Sequence, residues 1–254
     1  MKLFICVSVA LVCLSVAISG STPKASSPLH PIVDAQTGYL IGGSQNGKWV
    51  SDKDVAKKLR GGEAYRVFDR SKQVGQTTGT KTRTNEAPCD LTHWVKLQKN
   101  FNGQIALSAD WNPLLRSVRP QNTNQKFYRN EVARILKERG IKKPKVIITQ
   151  LWRVDLDGDG SDEVLLSASN YEGQKAGPND IASYSRAGDY SFALLRKVVN
   201  GKVRTIMLEY NFYPQAKTFN APNFFTLAGV YDLNGDSKME VVMRGRYYEG
   251  DWMS

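Results

Sequence analysis

The sequence predicts a mainly β fold of α+β character, built from antiparallel hairpins with one prominent helix. Three observations carry that expectation. Short runs rich in Val, Ile, Leu and Tyr are divided by Asn-Gly and Gly-Gly turns. Apolar residues fall at clear helical spacing over one long segment, Lys126 to Arg139. An acidic, glycine-containing loop between two apolar runs occurs twice, at an offset of 77 residues.

The chain divides by composition into 1–19, 20–36, 37–111, 112–145 and 146–254. Lys2 followed by the apolar run Leu3 to Ile18, with Ala17 and Ser19 as small residues before a cleavage point, reads as an export signal. The run is short for a membrane span, which needs about 20 residues. A secreted, extracytoplasmic protein with no transmembrane span in its mature chain is therefore expected. Removing 1–19 takes away Cys6 and Cys13 and leaves Cys89 alone, so no internal disulfide can form. Residues 20–36, rich in Ser and Pro, read as a flexible lead-in.

The region 37–111 reads as β-rich. Tyr39 to Ile41 and Lys48 to Val50 flank Asn46-Gly47, a hairpin turn. Ser51 with Asp54 forms a capping box for a short helix reaching Arg60, which buries Val55, Ala56 and Leu59 and stops at Gly61-Gly62. Ala64 to Phe68 alternates as a strand, and Gln73 to Gly75 opens another. Thr77 to Asn85 is polar and reads as a loop. His93 to Leu97 and Gln104 to Ser108 are expected to pair across Asn102-Gly103.

Residues 112–145 read as a connector and a basic helix. Tyr128, Val132, Ile135 and Leu136 share one face, Asn124 is placed to cap it, Gly140 ends it, and Pro144 prevents continuation. Arg129, Arg134, Lys137 and Arg139 lie on this helix, and Lys142, Lys143 and Lys145 follow it. A charge run of this kind is either a solvated face or a polyanion-binding one.

From Ile147 the chain repeats itself. Residues 147–173 set against 224–250 give ten identities in 27 positions, spread through the loop and both flanks. The repeated unit is thus a strand, an acidic loop and a second strand. The first loop carries Asp155, Asp157, Asp159 and Glu163 at positions 1, 3, 5 and 9; the second carries Asp232, Asn234, Asp236 and Glu240. Side-chain oxygens at alternate positions of a tight loop can converge on a hard cation, normally Ca²⁺. The alternative is a turn held by Asp and Gly chemistry without metal. An EF-hand is excluded, because position 12 is Leu166 or Met243 and the flanks are strands, not helices.

The pattern Asp-x-Asp-x-Asp-Gly-x-x-Asp/Glu between two strands resembles the FG-GAP/VCBS-type repeat, the calcium-loop blade unit of integrin-like β-propellers. The resemblance covers about residues 146–254 and implies a partial β-propeller with two Ca²⁺ loops. It implies side-chain ligands at Asp155, Asp157, Asp159 and Glu163 with the Ser161 carbonyl, and at Asp232, Asn234, Asp236 and Glu240 with the Lys238 carbonyl. The Phe-Gly and Gly-Ala-Pro words of that family are absent, and two copies stand against its usual seven blades. Position 6 is Gly160 in the first loop and Ser237 in the second. A positive φ at Ser237 costs on the order of 1 kcal/mol. With one carboxylate fewer as well, the second loop is expected to bind Ca²⁺ less tightly than the first.

Tyr190 to Val199, Asn200-Gly201 and Val203 to Tyr210 are expected to complete the first unit with a second hairpin. The second unit, by analogy, runs out near Ser254 where its third strand should begin. Either the chain is truncated there or another segment completes that sheet.

Other chemistry is sparse. Cys89 and His93 lie four residues apart without an orienting partner. His30 and His93 are the only histidines, too few for a histidine-based zinc site. The Tyr-Glu-Gly words at 171–173 and 248–250 offer carboxylates, but their repetition points to turns. The formal charge of +11 favours an acidic partner. The expected function is an exported, calcium-binding, non-enzymatic binding or surface module. Its ligand would be an extracellular protein, glycan or other polyanion, with no specific nucleic acid. The alternatives are a hydrolase with its site in 37–145 and a polyanion binder using the 126–145 helix.

Overall fold

The computed structural model describes residues 27–84, 92–171, 185–215, 220 and 222–254. The fold is mainly β, with antiparallel sheets, none of them closed into a barrel. The export segment, Cys89, Glu172 and Gly173 lie outside the described residues.

The N-terminal sheet has six strands. In chain order they are β1 (His30–Asp34), β2 (Leu40–Gln45), β3 (Lys48–Ser51), β4 (Ala64–Phe68), β5 (Gln73–Thr78) and β8 (Ile105–Leu107), arranged β3-β2-β1-β8-β4-β5. Helix α1 (Asp52–Lys58) follows β3; Ser51 Oγ accepts from the Asp54 N–H at 3.2 Å, as the capping box requires. Asn46 and Gly47 both adopt positive φ and close the β2–β3 hairpin.

Two expectations for this region are corrected. The flexible lead-in ends earlier than composition suggested, because Ile32, Val33 and Asp34 are buried in a central strand. The strand expected over His93 to Leu97 shrinks to β7 (His93–Trp94), which pairs with β6 (Arg83–Thr84). Strand β8 instead lies between β1 and β4. Long-range pairing buries Ile105, Ala106 and Leu107 completely, which a local hairpin across Asn102-Gly103 would not do.

The second sheet is built around the first repeat. Strand β9 (Arg119–Pro120) edges β10 (Ile148–Val154), followed in space by β11 (Glu163–Ser169), β12 (Asp189–Val199) and β13 (Lys202–Tyr213). Helix α2 (Lys126–Glu138) packs on one face through Val132, Ile135 and Leu136, against Leu166, Phe192 and Leu194 among others. Its N-cap is Gln125, without a side-chain cap bond, where Asn124 was expected. Gly140, at φ 88°, ends it.

The second repeat makes a smaller sheet, β14 (Phe224–Tyr231), β15 (Glu240–Tyr247) and β16 (Gly250–Met253). The third strand therefore does form. Its register sets Trp252 opposite Gly245, the place that Phe192 takes opposite Ala168 in the first repeat.

This three-stranded sheet lies between the other two. Phe225, Leu227, Met243 and Trp252 face Trp152, Leu165 and Ala193 of the five-stranded sheet. Ala228, Tyr231, Val242 and Met253 face Ile32, Phe68, Ile105 and Leu107 of the six-stranded sheet. Alternation along β15 and β16 thus feeds two cores from one sheet. A polar clasp accompanies each. Gln150 donates to the Leu227 carbonyl and accepts from its N–H, at 3.0 and 2.7 Å. Arg244 binds both oxygens of fully buried Asp34 at 2.9 and 3.0 Å.

Candidate metal centre

Both acidic loops join two antiparallel strands, and the three strand pairs nearest each loop are equivalent. Val154 pairs with Glu163, Arg153 with Val164 and Trp152 with Leu165; Tyr231 pairs with Glu240, Val230 with Val241 and Gly229 with Val242. The backbone repeats too. Gly158 and Gly235 at position 4 both have φ 79°, and position 6 has φ 86° at Gly160 and 69° at Ser237. The serine therefore sits in the left-handed region, at a cost of about 1 kcal/mol.

In the first loop the Asp155 carboxylate organises the turn. Its Oδ1 accepts from the Gly158 N–H at 2.7 Å and its Oδ2 from the Gly160 N–H at 3.1 Å. Asp159 accepts from the Ser161 N–H at 2.7 Å. The result brings one carboxylate oxygen from each of Asp155, Asp157 and Asp159 within 4.8 Å of the others. Asp157 Oδ1 is buried there without a hydrogen-bond partner. Glu163 is 3% exposed; its Oε2 accepts from the Leu156 N–H at 2.8 Å, and it lies outside the aspartate triad.

Like charges this close need a counter-charge. Lys197, on β12, supplies one. Its Nζ donates to Asp157 Oδ2 and stands 3.7 Å from Glu163 Oε1. The hydrogen bond from Lys197 holds the Asp157 carboxyl below the usual carboxylate range, and the same bond holds the Lys197 ammonium above its ordinary value. Lys197 faces Asp157, Glu163 and Asp159, and the Arg116 guanidinium borders the loop at Asp155 and Gly158, so two cations stand against four carboxylates and negative oxygen is left over.

The second loop repeats the scaffold without the lysine. Asp232, 2% exposed, accepts from the Gly235 N–H at 2.7 Å and the Ser237 N–H at 3.0 Å. Asn234 Oδ1 accepts from the Asp236 N–H, and Asp236 from the Lys238 N–H. Glu240 Oε2 accepts from the Leu233 N–H at 2.7 Å, the counterpart of the Glu163 bond. Burial pushes the Glu240 carboxyl up, and the charges of Asp236 and Asp232 add to that rise. No acidic triad as tight as the first forms in this loop among the described residues.

The two loops touch. The Met239 N–H donates to the Leu156 carbonyl at 2.8 Å. Arg116 donates to the Asp155 and Leu156 carbonyls of one loop and to the Ser237 carbonyl of the other, at 2.5, 2.9 and 2.8 Å. Trp111 Nε1 donates to the Asp232 carbonyl at 2.8 Å, and a Cβ at Gly235 would press on its ring at 3.2 Å. Sequence reasoning missed Lys197, Arg116 and Trp111. Their places depend on register and on a connector folding back, and neither leaves a local motif.

The other candidate residues are scattered. His93 Nδ1 pairs with Asp52 Oδ2 at 2.9 Å. On the basic helix, Arg134 binds Glu131 and Glu138, and Arg139 lies over the rings of Tyr210 and Phe212. Tyr248 and Glu249 line a groove of about 480 Å³ with Gln36, Arg244, Arg246 and Asp251. No helix among the described residues is long and apolar enough to cross a membrane. Comparison with protein-family models, curated protein sequences and solved structures finds no match for this chain.

Proposed function

We propose that the chain is an exported, non-enzymatic binding or surface module whose two hairpin loops take Ca²⁺, the first more tightly, in an FG-GAP/VCBS-like arrangement related to a partial propeller. The observation that carries this reading is the first loop's donor set. Three aspartate oxygens converge, and Asp157 in that set also has an oxygen, Oδ1, buried without a hydrogen-bond partner. Orphaned buried oxygens are costly unless a cation or donor meets them. The donors are all hard oxygens, which suits Ca²⁺ and not a soft metal. Asp155, Asp157, Asp159, Glu163 and the Ser161 carbonyl would hold the first ion. Asp232, Asn234, Asp236, Glu240 and the Lys238 carbonyl would hold the second. A bound Ca²⁺ would neutralise the carboxylates and tie β10 to β11 and β14 to β15. The contact between the loops through Arg116 would let either ion stiffen both.

Thermal unfolding with Ca²⁺ and with chelator tests the reading. Ligand at 100 times its Kd stabilises by about 2.7 kcal/mol, which for a chain of this size is roughly 5–10 °C in Tm. Asp157→Ala should abolish most of that gain. A Tm indifferent to both Ca²⁺ and chelator would refute the calcium reading.

A further inference from the structure

The β12–β13 hairpin outruns its sheet. The last pair joining β11 to β12 is Val164 with Arg196. Beyond it, Lys197 pairs with Arg204, Val198 with Val203 and Val199 with Lys202, closed by Asn200 and Gly201 at positive φ. Three pairs at 3.3–3.4 Å per residue make a two-stranded ribbon about 10 Å long.

The composition of this ribbon is unlike that of an ordinary solvated turn. Val198 is 58% exposed, Val203 57%, Ile206 47% and Val199 38%. Of the eight large apolar side chains that stand exposed among the described residues, four fall within these nine positions. The same stretch is cationic. Lys202 and Arg204 lie in it, Arg196 and Lys197 directly precede it, and no Asp or Glu occurs from Tyr190 to Leu208. At the base of the ribbon, Phe127 is 63% exposed under the guanidinium of Arg196, 5.0 Å from its ring. Val198 also walls a groove of about 690 Å³ that contains Arg116, Arg119 and Arg153. Two carboxylates line that groove as well, Asp162, which Arg119 and Arg153 share, and Asp155, so its three arginines exceed them by one charge.

Charge selects the occupant. A second copy would bring the same acid-free, cationic tip against itself, and like charges repel. A soluble polyanion would satisfy the arginines and lysines and leave the valines in water. An anionic bilayer satisfies both: phosphates for the cations, and an interface whose headgroup and acyl boundary accepts apolar groups to a depth of about 5–10 Å. We propose that the β12–β13 hairpin tip docks on an anionic phospholipid surface. Val198, Val199 and Val203 enter the headgroup layer, and Lys202 and Arg204 meet lipid phosphates. The proposal does not rest on calcium binding.

Vesicle co-sedimentation of the full chain, in chelator, tests it. Phosphatidylcholine vesicles are compared with phosphatidylcholine–phosphatidylglycerol vesicles. The apolar segment Leu3 to Ile18 is common to every protein compared, so differences between variants report the hairpin alone. Wild-type protein should sediment with the anionic vesicles and not with the neutral ones. Lys202→Ala with Arg204→Ala should weaken binding about thirty-fold, at about five-fold for each charge. Val198→Ser with Val203→Ser should weaken it by roughly ten-fold for each valine. The charge pair lies in exposed positions at the tip, and an unchanged Tm verifies that it folds. A preference for anionic over neutral vesicles no greater in wild type than in the charge pair would overturn the proposal. So would anionic binding that the charge pair leaves intact, or a wild-type dimer that the valine pair dissociates.

Discussion

Lys197 is a resident monovalent cation beside the loop proposed to take a divalent one, and replacing it should move two measurable quantities in opposite directions. Lys197→Met keeps the unbranched stem and removes the ammonium. In chelator the variant loses the hydrogen bond to Asp157 and the approach to Glu163. Both partners of the Asp157 pair are 30% exposed at the side chain, so water screens it and the loss is about 1 kcal/mol. Calcium sees the reverse. A divalent ion about 5 Å from an ammonium in a dielectric near that of water is repelled by about 1.7 kcal/mol, which is more than ten-fold in affinity. Urea unfolding in chelator reads the first quantity and calorimetric Ca²⁺ titration the second. Lys197→Arg keeps the charge and should leave Ca²⁺ affinity close to wild type. If Lys197→Met lowers both stability and affinity, or leaves the affinity unmoved, Lys197 is not a rival of the metal and the reasoning fails.

Two further outcomes follow from buried charge elsewhere. Arg244→Met strips the guanidinium from Asp34, which is 0% exposed and keeps only the Gln36 N–H and Thr37 hydroxyl as partners. The expected cost is about 3 kcal/mol in urea unfolding, and a loss below about 1 kcal/mol would mean the pair is not what joins the two sheets. Glu240→Gln should stabilise the metal-free chain at neutral pH, because burial and its acidic neighbours raise the folded-state pKa of Glu240. A carboxyl raised on folding carries a penalty above its folded pKa. That penalty is relieved as pH falls through the raised value and is gone below the ordinary value of 4.5. The gain of the variant in urea unfolding should therefore shrink with acidification; a gain that grows would contradict the sign.

Features written in a few adjacent residues were legible. Asn46-Gly47 and Asn200-Gly201 turn where their dihedral needs dictate. Ser51 caps α1, and Val132, Ile135 and Leu136 form the buried face of α2. Ser237 takes the positive φ expected of position 6. The three aspartates of the first loop converge as their alternate spacing suggested, and Glu163 lies outside that cluster. What escaped depends on partners distant in sequence. Ile32 and Val33 looked like linker because Pro28 and Pro31 precede them, and their strand becomes visible only once β2 and β8 enclose it. Ile105 to Leu107 gave no sign of preferring β1 and β4 to the nearer His93 and Trp94. Lys197 reads as one cation among many until register sets it beside Glu163.

The order of the sheets in space differs from their order along the chain. Residues 224–253 are synthesised after both sheets they separate. Until they arrive, Ile32, Phe68 and Leu107 on one side and Trp152, Leu165 and Ala193 on the other have no cover, and Asp34 waits for an arginine 210 positions away. Contacts of such long range close slowly. A chain organised this way can close the cores under helices α1 and α2 first and gains its two middle cores only in a late step. That order implies that truncation within the last sheet would leave two sticky half-proteins instead of one slightly weakened whole.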